Sequence, residues 1–330
     1  MDSITQIALG VAVAHVTLPK SLGKHRLWLG AVLGTIPDLD VYIAPILYSN
    51  DSLAEVQFHR GFSHSIILFV VISVVFSFLS KQLFKKSNVS LKKWFLSFFL
   101  ILFTHSLLDV FTTWGTQLLW PLAYKFQLNS IFVVDPLYTL PLLAGVFFYY
   151  KKQSIQYINF GLLLSSVYLI IGLGIQAYIK SIITTHLINK DIIAKNITIK
   201  PTAFNNVLWN VIVETESDYL LNQYSVYDEY VEEFQSFKKN EIFLDVVPIQ
   251  LQNQLKEITQ NQYTVQKTGD SLIVNDLRFG LLKNTEQEKQ FAFSYILFKT
   301  NEKWTVQEQA KSKKDGKEML LKLIERIKGN

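Results

Sequence analysis

The sequence HRGFSHS at residues 59–65 places two imidazoles and a guanidinium within seven residues, directly before an apolar run that starts at Ile66. Two further polar segments interrupt apolar runs nearby, PDLD at 37–40 and HSLLD at 105–109. Ionisable side chains are costly at membrane depth, so their presence in such runs indicates a functional site. We therefore predict that the three segments form one buried, metal-binding site.

The apolar residues are unevenly distributed along the chain. The 330 residues are 49% hydrophobic with a mean hydropathy of +0.22, which is too apolar for an ordinary soluble protein. Long apolar runs fill residues 1–180, whereas residues 181–330 have the pattern of a soluble domain. We predict an α-helical polytopic membrane domain over 1–180, with about six apolar segments of which at least one is broken, followed by a small α+β domain over 181–330.

Charge and cysteine content exclude several classes of function. The chain has no cysteine, so thiolate zinc sites, disulfides and cysteine nucleophiles are excluded, and a metal would have to be held by histidine and carboxylate. The net charge is +5, and the basic residues lie beside apolar runs, as is typical of membrane proteins. We expect the lipid bilayer as a partner and no nucleic acid. The N-terminus lacks a basic segment, so we expect no cleaved signal peptide.

The apolar runs lie at 4–18, 27–48, 66–84, 94–111, 136–150 and 158–179. The first is short, because a bilayer span needs about 20 residues. The second contains Pro37, which removes a backbone donor and predicts a break in the helix. A broken helix at membrane depth is typical of a segment that lines a cavity or a binding site.

Basic residues concentrate in alternate connections between these runs. The connections 19–26, 85–93 and 151–152 are rich in lysine and arginine, whereas 49–60 and 112–135 hold only Arg60 and Lys125. The positive-inside rule then predicts a multi-pass protein of the cell (inner or plasma) membrane. Its N-terminus and its C-terminal domain are predicted to be extracytoplasmic.

Within residues 181–330, segments 206–216 and 263–274 have the composition of strands, the latter with a Thr-Gly-Asp turn. Segments 291–299 and 303–308 predict a second hairpin, with its turn at Asn301 and Glu302. Apolar residues at helical spacing predict an amphipathic helix over 317–328.

Two of the polar segments have spacings suited to a cation. His105 and Asp109 are four residues apart, so on a helix they share one face and can bind one metal. The alternative is a structural hydrogen bond between them. Asp38 and Asp40 follow Pro37, and in a turn both carboxylates can converge on a cation. The alternative, a pair of solvated acids at the membrane edge, fits poorly with their position inside an apolar run.

In the third segment, a turn at Gly61 would bring His59 and His64 inward together. The alternative is a pair of surface histidines at the water boundary. Arg60 would either bind an anionic group of a substrate or face lipid phosphate.

Taken together, the three segments predict a site for zinc or manganese, because carboxylates and imidazoles suit these divalent ions. Such an ion would activate water for hydrolysis near neutral pH. The predicted metal ligands are Asp38, Asp40, His59, His64, His105 and Asp109, and the predicted catalytic residues are Asp38, His64 and Arg60. Gln6 and His15, on the first run, are secondary candidates for the same site.

Over residues 1–180 the chain resembles the YdjM-type, inner-membrane-bound, metal-dependent hydrolases. The resemblance is carried by MDSITQ at 1–6, GTIPDLD at 34–40, HRGFSHS, HSLLD, and the segments 111–121, 129–132 and 135–137. Many members have a histidine where this chain has Gln6. The resemblance implies a hydrolase with the six predicted metal ligands as its polar centre.

Three functions remain open at this point. The first is a metal-dependent hydrolase acting at the outer membrane–water interface, on an amphiphilic, lipid-like or phosphoester substrate. The second is a metal-independent lipid phosphatase with a histidine nucleophile. It would need several arginine or lysine residues around the phosphate, and only Arg60 is close to the histidines and carboxylates of the three segments. The third is a non-enzymatic metal transporter, metal-binding protein or sensor. Transport would need polar groups across the whole membrane, and the inner halves of the runs are apolar.

Overall fold

The computed structural model describes residues 1–48, 52–284, 289–300, 303–309 and 316–330. The chain divides into two compact units. The N-terminal unit comprises Met1–Ala44, Phe58–Leu173 and Ala203–Asn205, and the C-terminal unit comprises Pro45–Gln57, Gly174–Thr202 and Asn206–Asn330. Each unit is therefore assembled from separate stretches of sequence.

Among the residues that the structure describes, eight α-helices precede the first strand. They are α1 (Ser3–Thr17), α2 (His25–Thr35), α3 (Asp40–Leu47), α4 (Ser52–Phe58), α5 (Ile66–Leu83), α6 (Leu91–Val110), α7 (Pro136–Lys152) and α8 (Gln156–Asn189). Four helical stretches are long and apolar enough to cross a membrane: His25–Leu47, Ile66–Leu83, Leu91–Val110 and Gln156–Asn189. With 15 and 17 residues, α1 and α7 are shorter. All six predicted runs are helical, but six membrane spans are not confirmed.

The predicted break in the second run is confirmed. A 3₁₀ turn at Ile36–Leu39 separates α2 from α3, with Pro37 near its start. Proline cannot donate its backbone nitrogen to the preceding turn, so the α-helical hydrogen-bond pattern is interrupted there. The interruption places Asp38 in the turn and Asp40 at the first position of α3.

Glycines allow α1 and α2 to pack with their backbones in contact. A Cβ atom added at Gly10 would lie 2.3 Å from the Gly30 carbonyl oxygen, and one at Gly34 would lie 2.7 Å from the Gln6 carbonyl oxygen. No larger residue fits at such distances, which is the packing that small residues permit between apolar helices. Apolar residues of α6 complete the core beside them, including Trp94, Phe98 and Ile101.

The C-terminal unit contains two four-stranded antiparallel sheets, each in sequential order. The first has β1 (Asn196–Pro201), β2 (Leu208–Glu214), β3 (Asp218–Ser225) and β4 (Gln235–Lys238). The second has β5 (Tyr263–Thr268), β6 (Ser271–Asn284), β7 (Lys289–Thr300) and β8 (Lys303–Glu308). Helices α9 (Ile249–Thr259) and α10 (Gly316–Ile327) accompany them. Both predicted hairpins and the amphipathic helix are present; the β7–β8 turn lies outside the described residues.

Two helical segments that precede the first strand take part in the core of the C-terminal unit. The end of α8 packs Ile183 and Leu187 against Trp209 of β2. From α4, Leu53 packs with Leu244, beside Val247 and Leu255. The domain boundary predicted at residue 180 falls within α8.

The C-terminal unit also buries a group of charges. Arg278 donates from Nε to both carboxylate oxygens of Asp276, at 3.0 and 3.1 Å, and both side chains are 1% exposed. The buried Lys200 donates to the side-chain oxygen of Gln262 at 3.2 Å. Burial, reinforced by the nearby Arg278 guanidinium, holds the pKa of Lys200 well below its usual value. Donors and acceptors in this group are paired with each other.

Candidate metal centre

Four ionisable side chains converge from three elements of the N-terminal unit: Asp38, His64, His105 and Asp109. Asp38 comes from the 3₁₀ turn between α2 and α3, and His64 from a second 3₁₀ turn at Phe62–His64. His105 and Asp109 lie one turn apart on α6, so both side chains point the same way. The side chains of His64 and Asp109 are fully buried, whereas that of Asp38 is 17% exposed.

The ligand atoms of the four side chains all lie within 4.8 Å of one another. The Nε2 atom of His64 lies 3.3 Å from Asp38 Oδ1 and 3.2 Å from Asp109 Oδ2. The Nε2 atom of His105 lies 3.4 Å and 3.6 Å from the same two oxygens, and 3.3 Å from His64 Nε2. A tetrahedron of ligands about 2.0–2.1 Å from a central zinc has edges of about 3.3–3.4 Å. The four nitrogen–oxygen separations and the nitrogen–nitrogen separation are therefore close to the edges expected around a tetrahedral ion.

A backbone contact fixes the orientation of His105. Its Nδ1 atom lies 2.7 Å from the carbonyl oxygen of Gly34, which can only accept a hydrogen bond. The hydrogen of neutral His105 is therefore on Nδ1, and the lone pair of Nε2 points at the carboxylates. The close packing of α1 on α2, described above, is what places Gly34 at this position.

The two oxygens of Asp109 have different surroundings. Oδ1 lies 3.2 Å from Arg60 Nη2, accepts from Gln6 Nε2 at 3.2 Å, and contacts the amino group of Met1. Oδ2 is buried, and besides the two imidazoles it has no hydrogen-bond partner among the described residues. A cation at the centre of the four groups would supply the missing partner.

Asp40 and His59, the other two predicted ligands, form a pair next to this cluster. His59 Nδ1 lies 2.9 Å from Asp40 Oδ1, and the His59 side chain is 27% exposed. The remaining oxygen of Asp40 lies 3.7 Å from His64 Nδ1, on the side of that ring facing away from Asp109. The structure thus brings four of the six predicted ligands to one point and places two behind them.

Arg60 is buried, with 3% exposure, and its backbone has a positive φ of 61°. Besides the contact with Asp109, its Nη1 donates to Thr112 Oγ1 at 2.8 Å. The alternative that Arg60 faces lipid phosphate at the surface is therefore wrong. Its Nε has no hydrogen-bond partner among the described residues, so one donor remains for another group.

The two secondary candidates have different locations. Gln6 lies at the cluster, where its side-chain nitrogen contacts Asp109 and the His105 carbonyl. His15 is outside it: its ring nitrogens contact the Val11 carbonyl at 2.8 Å and the Tyr150 hydroxyl at 3.1 Å. Helical geometry explains the difference, because nine residues along α1 separate the two side chains by about 13 Å.

Three residues that contact the site were not predicted from the sequence: Ser63, Gly34 and Thr112. Ser63 could have been noticed, since a hydroxyl directly before a candidate ligand is placed to contact it. Gly34 acts through its carbonyl, a group that every residue has, and only the Gly30–Gly34 spacing hints at close packing. Thr112 had no signal of its own.

Comparison with known proteins gives two relatives. The chain is 26% identical to the uncharacterized protein YfhP of Bacillus subtilis (strain 168) over 181 residues, which are 52% of this chain and 53% of YfhP. It is 30% identical to the inner membrane protein YbcI of Escherichia coli (strain K12) over 122 residues, 36% of this chain and 66% of YbcI. The matches thus span about half and about two thirds of these relatives. No solved structure matches the chain.

The sequence profile of one family, described as YdjM inner membrane protein, matches residues 1–180. The matched region contains all of the residues that converge at the candidate metal centre, together with α1 to α7. The family and the four apolar helices support an inner-membrane location. Because the match covers more than half of its 330 residues, the chain belongs to the YdjM inner membrane protein family.

Proposed function

We propose that this chain is a membrane-bound hydrolase that depends on a divalent metal ion held by Asp38, His64, His105 and Asp109. The observation that carries the proposal is the convergence of two carboxylate oxygens and two imidazole nitrogens in a buried place, with each nitrogen 3.2–3.6 Å from both oxygens and all four ligand atoms within 4.8 Å of one another. Four such atoms repel one another unless a cation or protons lie between them. Nitrogen and oxygen ligands in a tetrahedral arrangement favour zinc, and manganese is the next candidate.

A hydrolytic centre must also admit a substrate. Four protein ligands fill a tetrahedron, whereas catalytic zinc sites keep a position open; in this centre water would have to add as a fifth ligand. Asp38 is the ligand with solvent exposure, so we assign the open side of the centre, and the contact with substrate, to this carboxylate. When bound, the ion would polarise a substrate oxygen and activate water at neutral pH.

The protein groups around the centre have distinct roles in this proposal. His64 and His105 hold the ion with neutral nitrogens. Arg60 balances the charge of Asp109 at 3.2 Å, and its unpaired Nε is available to an oxygen of an anionic substrate. Asp38, placed at the opening, accepts a proton from the attacking water.

An amphiphilic phosphoester is the substrate class we propose. Apolar side chains flank the site residues in sequence and are exposed: Leu39 follows Asp38, and Phe62 lies two residues before His64. Phe62 packs edge-to-face on Trp120, with ring centroids 4.9 Å apart. A substrate that reaches Asp38 past these side chains would place an apolar portion among them and an anionic portion near Arg60.

We further propose that α1 and α7 cross the membrane with the four longer stretches, so that there are six spans. The predicted domains, 1–180 in the membrane and 181–330 on the extracytoplasmic side, follow from the distribution of basic residues. The absence of native cysteine makes this testable by labelling single cysteines with an impermeant reagent. Cysteine at Lys86 or Lys152 should be protected in sealed cells and cysteine at Asp270 should react; the reverse pattern would refute the orientation.

The histidine-nucleophile alternative has less support. Both Nε2 atoms point at carboxylates and at each other, and Arg60, the cation contacting the cluster from the HRGFSHS segment, is engaged by Asp109. A transport role has less support as well, because α1 carries only apolar residues and glycine between Gln6 and His15.

The function is tested on purified protein in detergent or nanodiscs. We expect about one equivalent of zinc or manganese by mass spectrometry, and hydrolysis of a lipid phosphoester that a chelator abolishes and added metal restores. His105→Ala should lose both metal and activity. Chelator-resistant hydrolysis would favour the histidine nucleophile, and a metal-free protein without hydrolytic activity would refute the proposal.

A further inference from the structure

Behind the proposed metal centre lies a chain of hydrogen bonds that the proposed function does not explain. It runs from His59 through Asp40 and Ser63 to the far side of the His64 ring. Asp40 is 3% exposed and Ser63 is half-buried. Neither belongs to the group of four that could hold the metal ion.

The direction of each hydrogen bond follows from Asp40. An ionised carboxylate can only accept, and Asp40 accepts on Oδ1 from His59 Nδ1 at 2.9 Å. On Oδ2 it accepts from the backbone N–H of Arg60 at 3.1 Å and from the hydroxyl of Ser63 at 2.5 Å. The single hydrogen of the Ser63 hydroxyl is therefore directed at Asp40.

These hydrogen bonds determine which ring nitrogen of His64 carries the hydrogen. Its Nδ1 atom lies 2.8 Å from Ser63 Oγ, and that oxygen, having given its hydrogen to Asp40, can only accept. The hydrogen of neutral His64 is then on Nδ1, which leaves the lone pair of Nε2 facing Asp38 and Asp109. A metal ligand needs this arrangement, because the ion binds a lone pair and not an N–H.

We infer that Ser63 and Asp40 are positioning residues: they fix the ring orientation and the hydrogen-bearing nitrogen of His64, so that Nε2 is free to bind the ion. His59 holds Asp40 from its solvent-exposed side. The inference rests on the proposed function, since it presupposes a metal at the four ligands. It assigns Asp40 and His59 a role outside direct coordination.

His105 provides an internal parallel. The backbone carbonyl of Gly34 fixes the hydrogen on His105 Nδ1, and a substitution at residue 34 does not remove this oxygen because it belongs to the main chain. The hydrogen on His64 Nδ1 is instead fixed by the side chain of Ser63, so a substitution of Ser63 can change the orientation of the His64 ring. Loss of such an outer partner lowers metal affinity by about 10–100-fold in metalloproteins.

The test uses Co²⁺ as a spectroscopic probe of the full-length protein. Metal-free protein is titrated with Co²⁺, and the visible absorption, the dissociation constant and the stoichiometry are recorded for wild type, Ser63→Ala, Ser63→Thr and Asp40→Asn. We expect Ser63→Ala and Asp40→Asn to bind one equivalent with affinity about 10–100-fold lower and with a changed spectrum. Ser63→Thr keeps the hydroxyl and should restore the wild-type spectrum.

Ser65→Ala is the matched control. Ser65 is the other serine of the segment and is buried, but its hydroxyl caps α5 by accepting from the Leu68 N–H at 3.2 Å. Its loss should lower the unfolding temperature, because the helix loses its N-terminal cap, without changing the spectrum of bound Co²⁺. This variant separates a loss of local stability from a loss of ligand orientation.

The outcomes distinguish the two proposals. If wild type binds Co²⁺ but Ser63→Ala and Asp40→Asn match it in affinity and spectrum, the positioning role is refuted and the metal centre stands. Loss of a whole equivalent in Asp40→Asn, with Ser63→Ala unchanged, would show that Asp40 is itself a ligand and would also refute it. If wild type binds no Co²⁺, both proposals fail. Metal binding without hydrolysis would refute only the hydrolase function.

Discussion

The two units of this chain each bury a group of charged side chains, and the two groups are composed differently. In the C-terminal unit, Arg278 donates to Asp276 and Lys200 to Gln262, so donors meet acceptors. In the N-terminal unit, acceptors meet acceptors: Asp38 and Asp109 face the Nε2 atoms of two histidines.

The difference shows how a buried charged group can be assigned a role. Charges are costly to bury unless they are paired and hydrogen-bonded. A group that pairs internally needs nothing else and is adequately explained as structural. A group in which imidazole lone pairs face carboxylate oxygens remains unfavourable until a cation lies between them, so its composition indicates a ligand. The predictions below test this contrast.

The largest expected effect is at the metal centre. His105→Ala removes one of the four converging atoms, so metal affinity should fall by more than the roughly 100-fold that loss of an outer partner costs, and hydrolysis should fall to background. Thr104→Val, on the same helix, loses only a hydroxyl that bonds to the Leu100 carbonyl, and should retain both. Metal content is measured by mass spectrometry, and hydrolysis is measured by phosphate release. Full metal content in His105→Ala would contradict the assignment.

The next effect is on stability in the C-terminal unit. Asp276→Ala leaves Arg278 buried without its carboxylate, so unfolding should become easier by about 3–5 kcal/mol, while metal content stays that of wild type. Asp270→Ala, at the exposed β5–β6 turn, should change stability by less than about 0.5 kcal/mol. Denaturant unfolding followed by tryptophan fluorescence measures both. If Asp276→Ala is as stable as wild type, the pairing of Arg278 with Asp276 does not stabilise the C-terminal unit, and the contrast between the two groups of buried charges is lost.

We expect the buried Lys200 to have a smaller effect on the free energy of unfolding, and this effect depends on pH. Its pKa in the folded protein lies below the unfolded value, because the ammonium is buried and near Arg278. The unfolded chain therefore binds more protons between the two pKa values, so stability rises with pH over that interval and levels off above about 10.4.

Lys200→Met should flatten this rise and increase stability at pH 7 by an amount on the order of 1–2 kcal/mol. The exposed Lys267→Met is the matched control, expected to keep the wild-type pH dependence. Unfolding curves recorded between pH 6 and about 10 measure how the stability of each variant depends on pH. An unchanged slope in Lys200→Met would show that Lys200 is already charged in the folded protein.

The smallest effect comes from two helical glycines. At Gly174 of α8 an added Cβ meets nothing within 4 Å, so Gly174→Ala should raise stability by about 0.4–1 kcal/mol through the unfolded chain. At Gly34 the same change would press on the Gln6 carbonyl at 2.7 Å and displace the partner of His105. Gly34→Ala should therefore lower both stability and metal affinity. Equal effects of the two substitutions on thermal unfolding would contradict the close packing of α1 on α2.

Features set by neighbouring residues could be predicted from the sequence. Pro37 determines the break between α2 and α3, the four-residue spacing of His105 and Asp109 determines their common face, and Gly269, with a φ of 58°, forms the β5–β6 turn. Each depends on covalent geometry within a few residues. The same is true of the apolar helices, whose length and composition are local properties.

Features set by long-range contacts could not be predicted. The sequence does not show that His105 contacts Gly34, that Asp40 pairs with His59 behind the cluster, or how the strands are ordered. Four elements of the C-terminal unit went unpredicted because their residues lack a strong local pattern: β1, β3, β4 and α9. The three strands pair with strands adjacent in sequence, and α9 packs in a core that includes Leu53 of α4.

Helix α4 has a consequence for the biogenesis of the protein. Gln57 contacts Glu257, a residue 200 positions later, and Leu53 is buried among side chains that are equally late in the chain. At ribosomal rates of 5–20 residues per second, α4 waits roughly 10–40 s for these partners to be synthesised. The segment with His59 and His64 begins directly after α4. Helix α4 therefore reaches its final packing late, and in a nascent chain stalled before residue 244 it should be more accessible to protease than in the released protein.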